Sequence, residues 1–292
     1  MLNYQGTVIR PPSEAASLIL QVTLGCPDNK CIFCPAYKTE TFKIKSLADI
    51  AAKISYAAAA YPQTTKIFLA DGDSLRLPFS DLLKILDLLN ENFKHLRRIS
   101  LYATTQSILG KTVTELKALK NKKMSLVYAG FETGDDETYK FTLKAGSPQN
   151  NIDAALRLKE SQIKLNATII LGLGGKKLSM QHAVNTAENL NKSQPEQIAA
   201  LTLMIPKQAP LYKLLKQNIF IPLTPLEIVD ELGILVANMN DFPCLFFANH
   251  ASNYVPVEAR FPKDKQSVLK TLQKISVSKN KSCLRPDFLR GL

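Results

Sequence analysis

Gly25-Cys26-Pro27-Asp28-Asn29-Lys30-Cys31-Ile32-Phe33-Cys34 places three of the chain's five cysteines within nine residues. Directly before it runs Ser17-Leu18-Ile19-Leu20-Gln21-Val22-Thr23-Leu24, an apolar stretch that reads as a buried strand. The thiols therefore sit on a loop at the carboxyl end of a strand. Three thiolates on one short loop suit a soft metal, with an iron–sulfur cluster the leading candidate. Structural zinc and full cluster ligation both usually take four protein ligands, yet the next cysteine is Cys244. A cubane held by Cys26, Cys31 and Cys34 keeps one iron open for another molecule. The competing reading is a zinc loop completed by a distant histidine or by Cys244.

Working outward, 292 residues are enough to bury the core of one large α/β domain or two small ones. The start, Met1-Leu2-Asn3-Tyr4-Gln5-Gly6, lacks the basic-then-apolar layout of a signal peptide, and no apolar run approaches the ~20 residues needed to span a bilayer. An odd number of cysteines in a clustered spacing argues against a disulfide framework and for a reducing, cytoplasmic setting. The formal net charge of +12 implies an acidic partner. Residues 261–292 carry eight basic residues against Asp264 and Asp287. An acidic electron carrier, an anionic, phosphate-bearing small molecule or a nucleic acid such as RNA fits this charge, and so does a plain solvated face.

The pattern after the cysteine loop alternates. Helix is expected from a Ser46 cap through Ala60, strand over Lys66–Ala70, helix over Phe79–Phe93, strand over Ile99–Ala103 and helix over Thr112–Lys120. Strand follows at Ser125–Ala129, helix at Pro148–Glu160, strand at Lys164–Leu171, helix at Ser179–Asn191 and strand at Gln197–Met204. Six such units argue for right-handed βαβ crossovers and a parallel sheet, fewer than a closed eight-fold barrel uses. Periodicity does not separate a partial barrel from an open doubly wound sheet, but either puts the active site at the carboxyl ends of the strands. Helices are expected again from after Pro225 through Asn238 and over Asp264–Ile275, giving a core of residues 1–215 and an α-rich extension of residues 216–292.

The cysteine loop resembles that of radical S-adenosylmethionine (SAM) enzymes, whose usual spacing is Cys-x3-Cys-x2-Cys with an aromatic before the last cysteine. Phe33 occupies the aromatic place, and Cys31 to Cys34 match directly; four residues rather than three separate Cys26 from Cys31. The resemblance covers about residues 15–215. It implies a partial (β/α)6 TIM-like barrel, a [4Fe–4S] cluster on Cys26, Cys31 and Cys34, and SAM as second cofactor. It further implies reductive SAM cleavage to a 5′-deoxyadenosyl radical that abstracts hydrogen from an unidentified substrate, with flavodoxin or ferredoxin as acidic electron donor. The broad group with coproporphyrinogen-dehydrogenase-like and methylthiotransferase-like members is the nearest general match, without a subfamily.

The same resemblance distributes roles over the strand ends. Asp71-Gly72-Asp73 stands where the family holds the SAM amino group, although an Asp-Gly pair is also an ordinary turn. Gly130-Phe131-Glu132-Thr133-Gly134 looks like a family element whose carboxylate, here Glu132, meets ribose or the amino group; capping the next helix is its other reading. Gly172, Gly174 and Gly175 would lie beside adenine, glycines allowing close approach to the backbone, and Met204 would add an apolar contact. Thr104 and Gln106 after the third strand, with Asn249, His250, Asn253 and Tyr254 in the extension, are the substrate candidates. A lone histidine is more often structural. The alternative from a different class is a zinc-loop RNA-binding protein without catalytic activity; a simple electron carrier has no use for an open iron.

Overall fold

The computed structural model describes residues 2–291, and they divide into two compact units. The molecule is α/β, with ten strands among the described residues, eight of them in one mostly parallel sheet.

The first unit holds the chain up to Asn29, Ala36–Ala129 and Leu156–Leu165. The predicted first strand is broken in two. β1 (Leu18–Gln21) joins the sheet, while β2 (Thr23–Leu24) turns off to pair antiparallel with β3 (Lys43–Ile44). There follow α1 (Leu47–Ala60), capped by Ser46 as expected, β4 (Lys66–Ala70), α2 (Phe79–Asn92), β5 (Arg98–Ala103), α3 (Thr105–Leu109), α4 (Val113–Asn121) and β6 (Met124–Glu132). β1, β4, β5 and β6 lie side by side and parallel in that order. Burial decides the helix faces: Ile50 and Ile54 of α1 and Leu82, Ile85, Leu86 and Leu89 of α2 are buried at helical spacing. On the strands, Phe68, Tyr102 and Tyr128 meet edge-to-face at 5.0–6.1 Å. Val8 packs against that cluster, and the buried Glu14 accepts hydrogen bonds from Arg98 (2.7 Å) and Tyr128 (2.8 Å). A carboxyl group buried this deeply is accommodated because it is paired and hydrogen-bonded.

The second unit holds Lys30–Pro35, Gly130–Ala155 and the chain from Asn166 on. Its elements are α5 (Asp136–Phe141), α6 (Pro148–Glu160), which crosses the unit boundary, β7 (Lys164–Leu171), α7 (Gly175–Ser193), β8 (Gln197–Thr202) and α8 (Leu211–Lys216). They continue with α9 (Pro225–Asn238), β9 (Cys244–Phe247), β10 (Glu258–Phe261) and α10 (Lys265–Ser278). β7, β8 and β9 are parallel, β10 closes antiparallel on β9, and α9 packs on α7 and α10. The extension is therefore helical with two added strands. Each is only four residues long, too short for a period-2 pattern to declare itself. Other boundaries move as well: β6 runs on to Glu132, and α7 starts at Gly175 rather than Ser179. No helix among the described residues is long and apolar enough to cross a membrane.

Candidate active site

In the first unit the end of β4 and the start of the cysteine loop interlock. Gly72 fits because it lacks a side chain: a Cβ there would lie 2.6 Å from the Gly25 carbonyl oxygen and 3.3 Å from the Cys26 Cα. The longer stretch between Cys26 and Cys31 is tied down at Asn29, whose Nδ2 donates to the Tyr37 carbonyl (2.5 Å) and whose carbonyl accepts from Lys38 Nζ (2.7 Å). Burial raises the pKa of the Cys26 thiol, against backbone hydrogen bonds from Asn29 and Asp28 that lower it.

The two aspartates differ. Both carboxylate oxygens of Asp71 are bonded, one by the Tyr37 hydroxyl and the other by Gln21 Nε2 (3.2 Å), while its backbone N–H donates to Thr23 Oγ1 (3.1 Å). Burial pushes the Asp71 pKa up, and these two side-chain bonds pull it down. Asp73 is fully buried, and its Oδ2 accepts from Thr104 Oγ1 (2.7 Å) and Ser107 Oγ (2.5 Å). Its Oδ1 is buried with no partner. Desolvation raises the Asp73 pKa to about 6, with the Ser107 and Thr104 bonds opposing. An orphaned carboxylate oxygen of this kind is a site for a cationic donor. Thr104, a substrate candidate, caps α3 and donates to Asp73. Gln106 lies on α3, half-buried, accepting from Thr105 Oγ1 at 3.2 Å.

In the second unit the Cys31–Cys34 segment is pinned at Ile32, whose N–H donates to the Thr142 carbonyl (3.0 Å) and whose carbonyl accepts from Leu211 N–H (2.8 Å). Ile32 and Phe33 are buried with Leu173, Leu211 and Phe220, and Cys31 and Cys34 pack against this cluster. Glu132 ends β6 in a left-handed conformation (φ 62°), and Lys144 Nζ lies 3.9 Å from its carboxylate. Burial raises its pKa and Lys144 lowers it. Non-glycine residues held at positive φ cluster at functional sites. Glu132 does not cap α5; Asp135 does, accepting from Thr138 N–H.

At the ends of β7 and β8 a cleft is lined by Gly172, Leu203, Ile205, Leu223, Ile228 and Tyr254, with Thr202 and Pro222. Gly172 has φ +80°, and a Cβ on it would lie 2.7 Å from Ile228 Cδ1. Gly174 and Gly175 open α7, and Met204, between Leu203 and Ile205, is not among the lining residues. Its walls are mostly apolar, interrupted by Thr202 and by the glycine turn.

A family model described as the radical SAM superfamily matches residues 20–190, more than half of the chain. The chain belongs to the radical SAM superfamily. It is thus an enzyme of a family that uses a [4Fe–4S] cluster and SAM in radical chemistry, on a TIM-like partial-barrel fold. Solved structures agree on the fold. Methylornithine synthase (PylB) is similar at TM-score 0.53 and 14% identity, over 76% of this chain and 63% of that one. HydG, a maturase of the [FeFe]-hydrogenase, is similar at TM-score 0.53 and 16% identity, over 89% and 54%. The methyltransferase TsrM from Kitasatospora setae, with cobalamin and a [4Fe–4S] cluster bound, is similar at TM-score 0.56 and 13% identity, over 69% and 39%. This chain therefore spans less than two thirds of the length of these neighbours. No curated protein sequence matches it.

The residues fit the radical SAM cofactors by donor chemistry. None of the five cysteines is in a disulfide, three of them lie on one loop, and Asp73 Oδ1 is buried with no hydrogen-bond partner. Among the described residues no three His, Cys, Asp or Glu side chains are gathered into a metal-holding group, so the fit rests on donor type and loop position. The extension's candidates separate. Asn253 is buried and spends its side chain on Thr202 Oγ1 (2.7 Å) and the Ala200 carbonyl (2.8 Å). Tyr254 faces the cleft, but its hydroxyl donates to Asp287 and its ring lies under Arg290 at 4.0 Å. Asn249 is exposed and donates to Glu258 (3.2 Å). His250 Nδ1 accepts from Ser252 N–H (3.1 Å), and burial, with Arg285, lowers its pKa. Sequence reasoning missed Tyr37, Gln21 and Ser107, which hold the aspartates, and the cleft's Leu223 and Ile228. Only Ser107 carried a signal, three residues after Thr104 in a helix-cap spacing.

Proposed function

We propose that this chain cleaves SAM reductively and uses the resulting radical to abstract hydrogen from a substrate held under its carboxyl-terminal extension. The observation that carries the reading is the family match, which spans the three-cysteine loop together with the ends of β4 to β7. In this reading Cys26, Cys31 and Cys34 hold a [4Fe–4S] cluster. A cluster bound there would supply the one-electron reduction by which the SAM sulfonium splits into methionine and a 5′-deoxyadenosyl radical.

The chain's own groups then bind and orient. Asp73, rather than Asp71, receives the methionine ammonium, because Oδ1 of Asp73 is free while both oxygens of Asp71 are taken. An arriving ammonium favours the ionised carboxylate and draws its pKa down from about 6. Thr104 and Ser107 hold the carboxylate in place from behind. Glu132 serves the ribose hydroxyls, and the cleft at Gly172 takes the adenine. His250, with Asn249 and Gln106, is left to meet substrate. Residues 1–215 act as the catalytic core and residues 216–292 close over it; the pairing of β9 on β8 and the packing of α9 on α7 support this.

The electron donor is an acidic flavodoxin or ferredoxin. The exposed Lys213 and Lys216 of α8, whose first residue Leu211 is bonded to Ile32 of the cluster segment, support this. The substrate is an anionic small molecule or a nucleic acid, in keeping with the net charge of +12. A reducing, cytoplasmic setting suits five cysteines of which none forms a disulfide.

The test is anaerobic reconstitution with iron and sulfide, addition of SAM and dithionite, and measurement of 5′-deoxyadenosine. We expect product from the native chain and none when Cys26, Cys31 and Cys34 are all changed to alanine. A colourless, zinc-loaded protein that forms no product overturns the reading.

A further inference from the structure

We propose that Glu231, on α9, is a positioning residue for the nucleoside of SAM and acts through the backbone of Gly172. The inference rests on the function proposed above and names a residue that lies 59 positions beyond the glycine it serves. Gly172 follows the last residue of β7 with φ +80°, and its N–H, buried beyond the strand, needs an acceptor. Glu231 supplies it: Oε1 accepts from Gly172 N–H at 2.5 Å, and Oε2 accepts from Ser179 Oγ at 2.5 Å. His182 Nε2 stands 3.8 Å from Oε1, and its Nδ1 is hydrogen-bonded to Thr133 Oγ1 at 2.8 Å. Glu231 is 1% exposed.

A carboxylate costs much to bury, and this one is held at Ser179 and beside His182 so that its other oxygen meets the Gly172 N–H, which points to what that glycine does. One turn earlier on α9, Ile228 stands over the face of Gly172 where a Cβ would be, and both residues line the cleft. The charge-assisted bond and the isoleucine together fix the glycine edge against which a flat base lies. Without the carboxylate the turn keeps its glycine but loses its orientation, and the cleft loses one wall.

The test uses the reconstituted protein and S-adenosylhomocysteine as probe. Its affinity is measured by calorimetry, and hydrogen exchange is followed in the peptide containing Gly172. Glu231→Ala should bind the probe about tenfold more weakly, roughly 1.4 kcal/mol, exchange faster at the Gly172 turn and keep its iron content. Glu231→Gln, which retains an acceptor, should restore affinity to within about threefold. Glu231→Met fills the same space without an acceptor and decides the matter if the alanine variant does not fold. Wild-type affinity in the folded alanine or methionine variant overturns the inference alone. A native protein that binds no S-adenosylhomocysteine overturns the reading beneath it.

Discussion

At the scale of single residues, Asp73 trades stability for binding. Its pKa of about 6 lies above the unfolded value near 4, so the folded state holds this proton more tightly. The stabilisation is complete below about pH 4 and is lost as pH rises to about 6, on the order of 2–3 kcal/mol in all. Asp73→Asn should remove that decline, which denaturant unfolding of the metal-free protein between pH 4 and 8 reads directly. The same variant should lose SAM binding, since an amide cannot pair with an ammonium as a carboxylate does. Gly72 makes a second case. Gly72→Ala drives a methyl against the Gly25 carbonyl and the Cys26 backbone, where overpacking costs about 1–3 kcal/mol. Iron analysis after reconstitution should show cluster content falling with the melting temperature.

At the scale of elements, the segment after β9 is held by the end of the chain. Arg285 donates to the carbonyls of His250, Ala251 and Asn253 at 2.8–3.0 Å. Arg290 donates to the Ser252 carbonyl (2.7 Å), the Tyr254 hydroxyl (2.5 Å) and the Leu203 carbonyl (3.3 Å) while stacking on the Tyr254 ring. Residues that as sequence look like a loose basic tail therefore act as a strap on the cleft wall. Arg290→Ala should cost about 2 kcal/mol, since several charge-assisted bonds and a cation–π contact go together. Hydrogen exchange should rise over residues 248–254 with the iron content unchanged. The loss of those contacts without faster exchange there would count against the strap.

At the scale of the whole molecule, the charge of +12 acts on encounter rather than on fold. With flavodoxin as donor, raising the salt from 50 to 500 mM should slow 5′-deoxyadenosine formation several-fold, as screening shortens the reach of the lysines. With dithionite, a small reductant that needs no docking, the same change should leave the rate nearly unaltered. Initial rates with the two reductants make the comparison. Charge reversal at Lys213 and Lys216 together should reproduce the salt effect in the flavodoxin assay alone.

By itself the sequence determined the class and most of the order of elements. Apolar runs such as Lys66–Ala70 and capped helices such as Ser46–Ala60 are local patterns, legible from spacing and propensity. The cysteine loop is equally local, since its chemistry lies in three residue types within nine positions. Only the tertiary structure decided which of two aspartates keeps a free oxygen. That depends on Tyr37 and Gln21 reaching Asp71, and on Thr104 and Ser107 reaching one side of Asp73. It likewise decided that Asn253 braces β8, that Arg290 is a strap and that Glu231 serves Gly172. These are pairings between groups 31 to 87 residues apart, and no periodicity or motif spacing encodes a contact that exists only once the chain has packed.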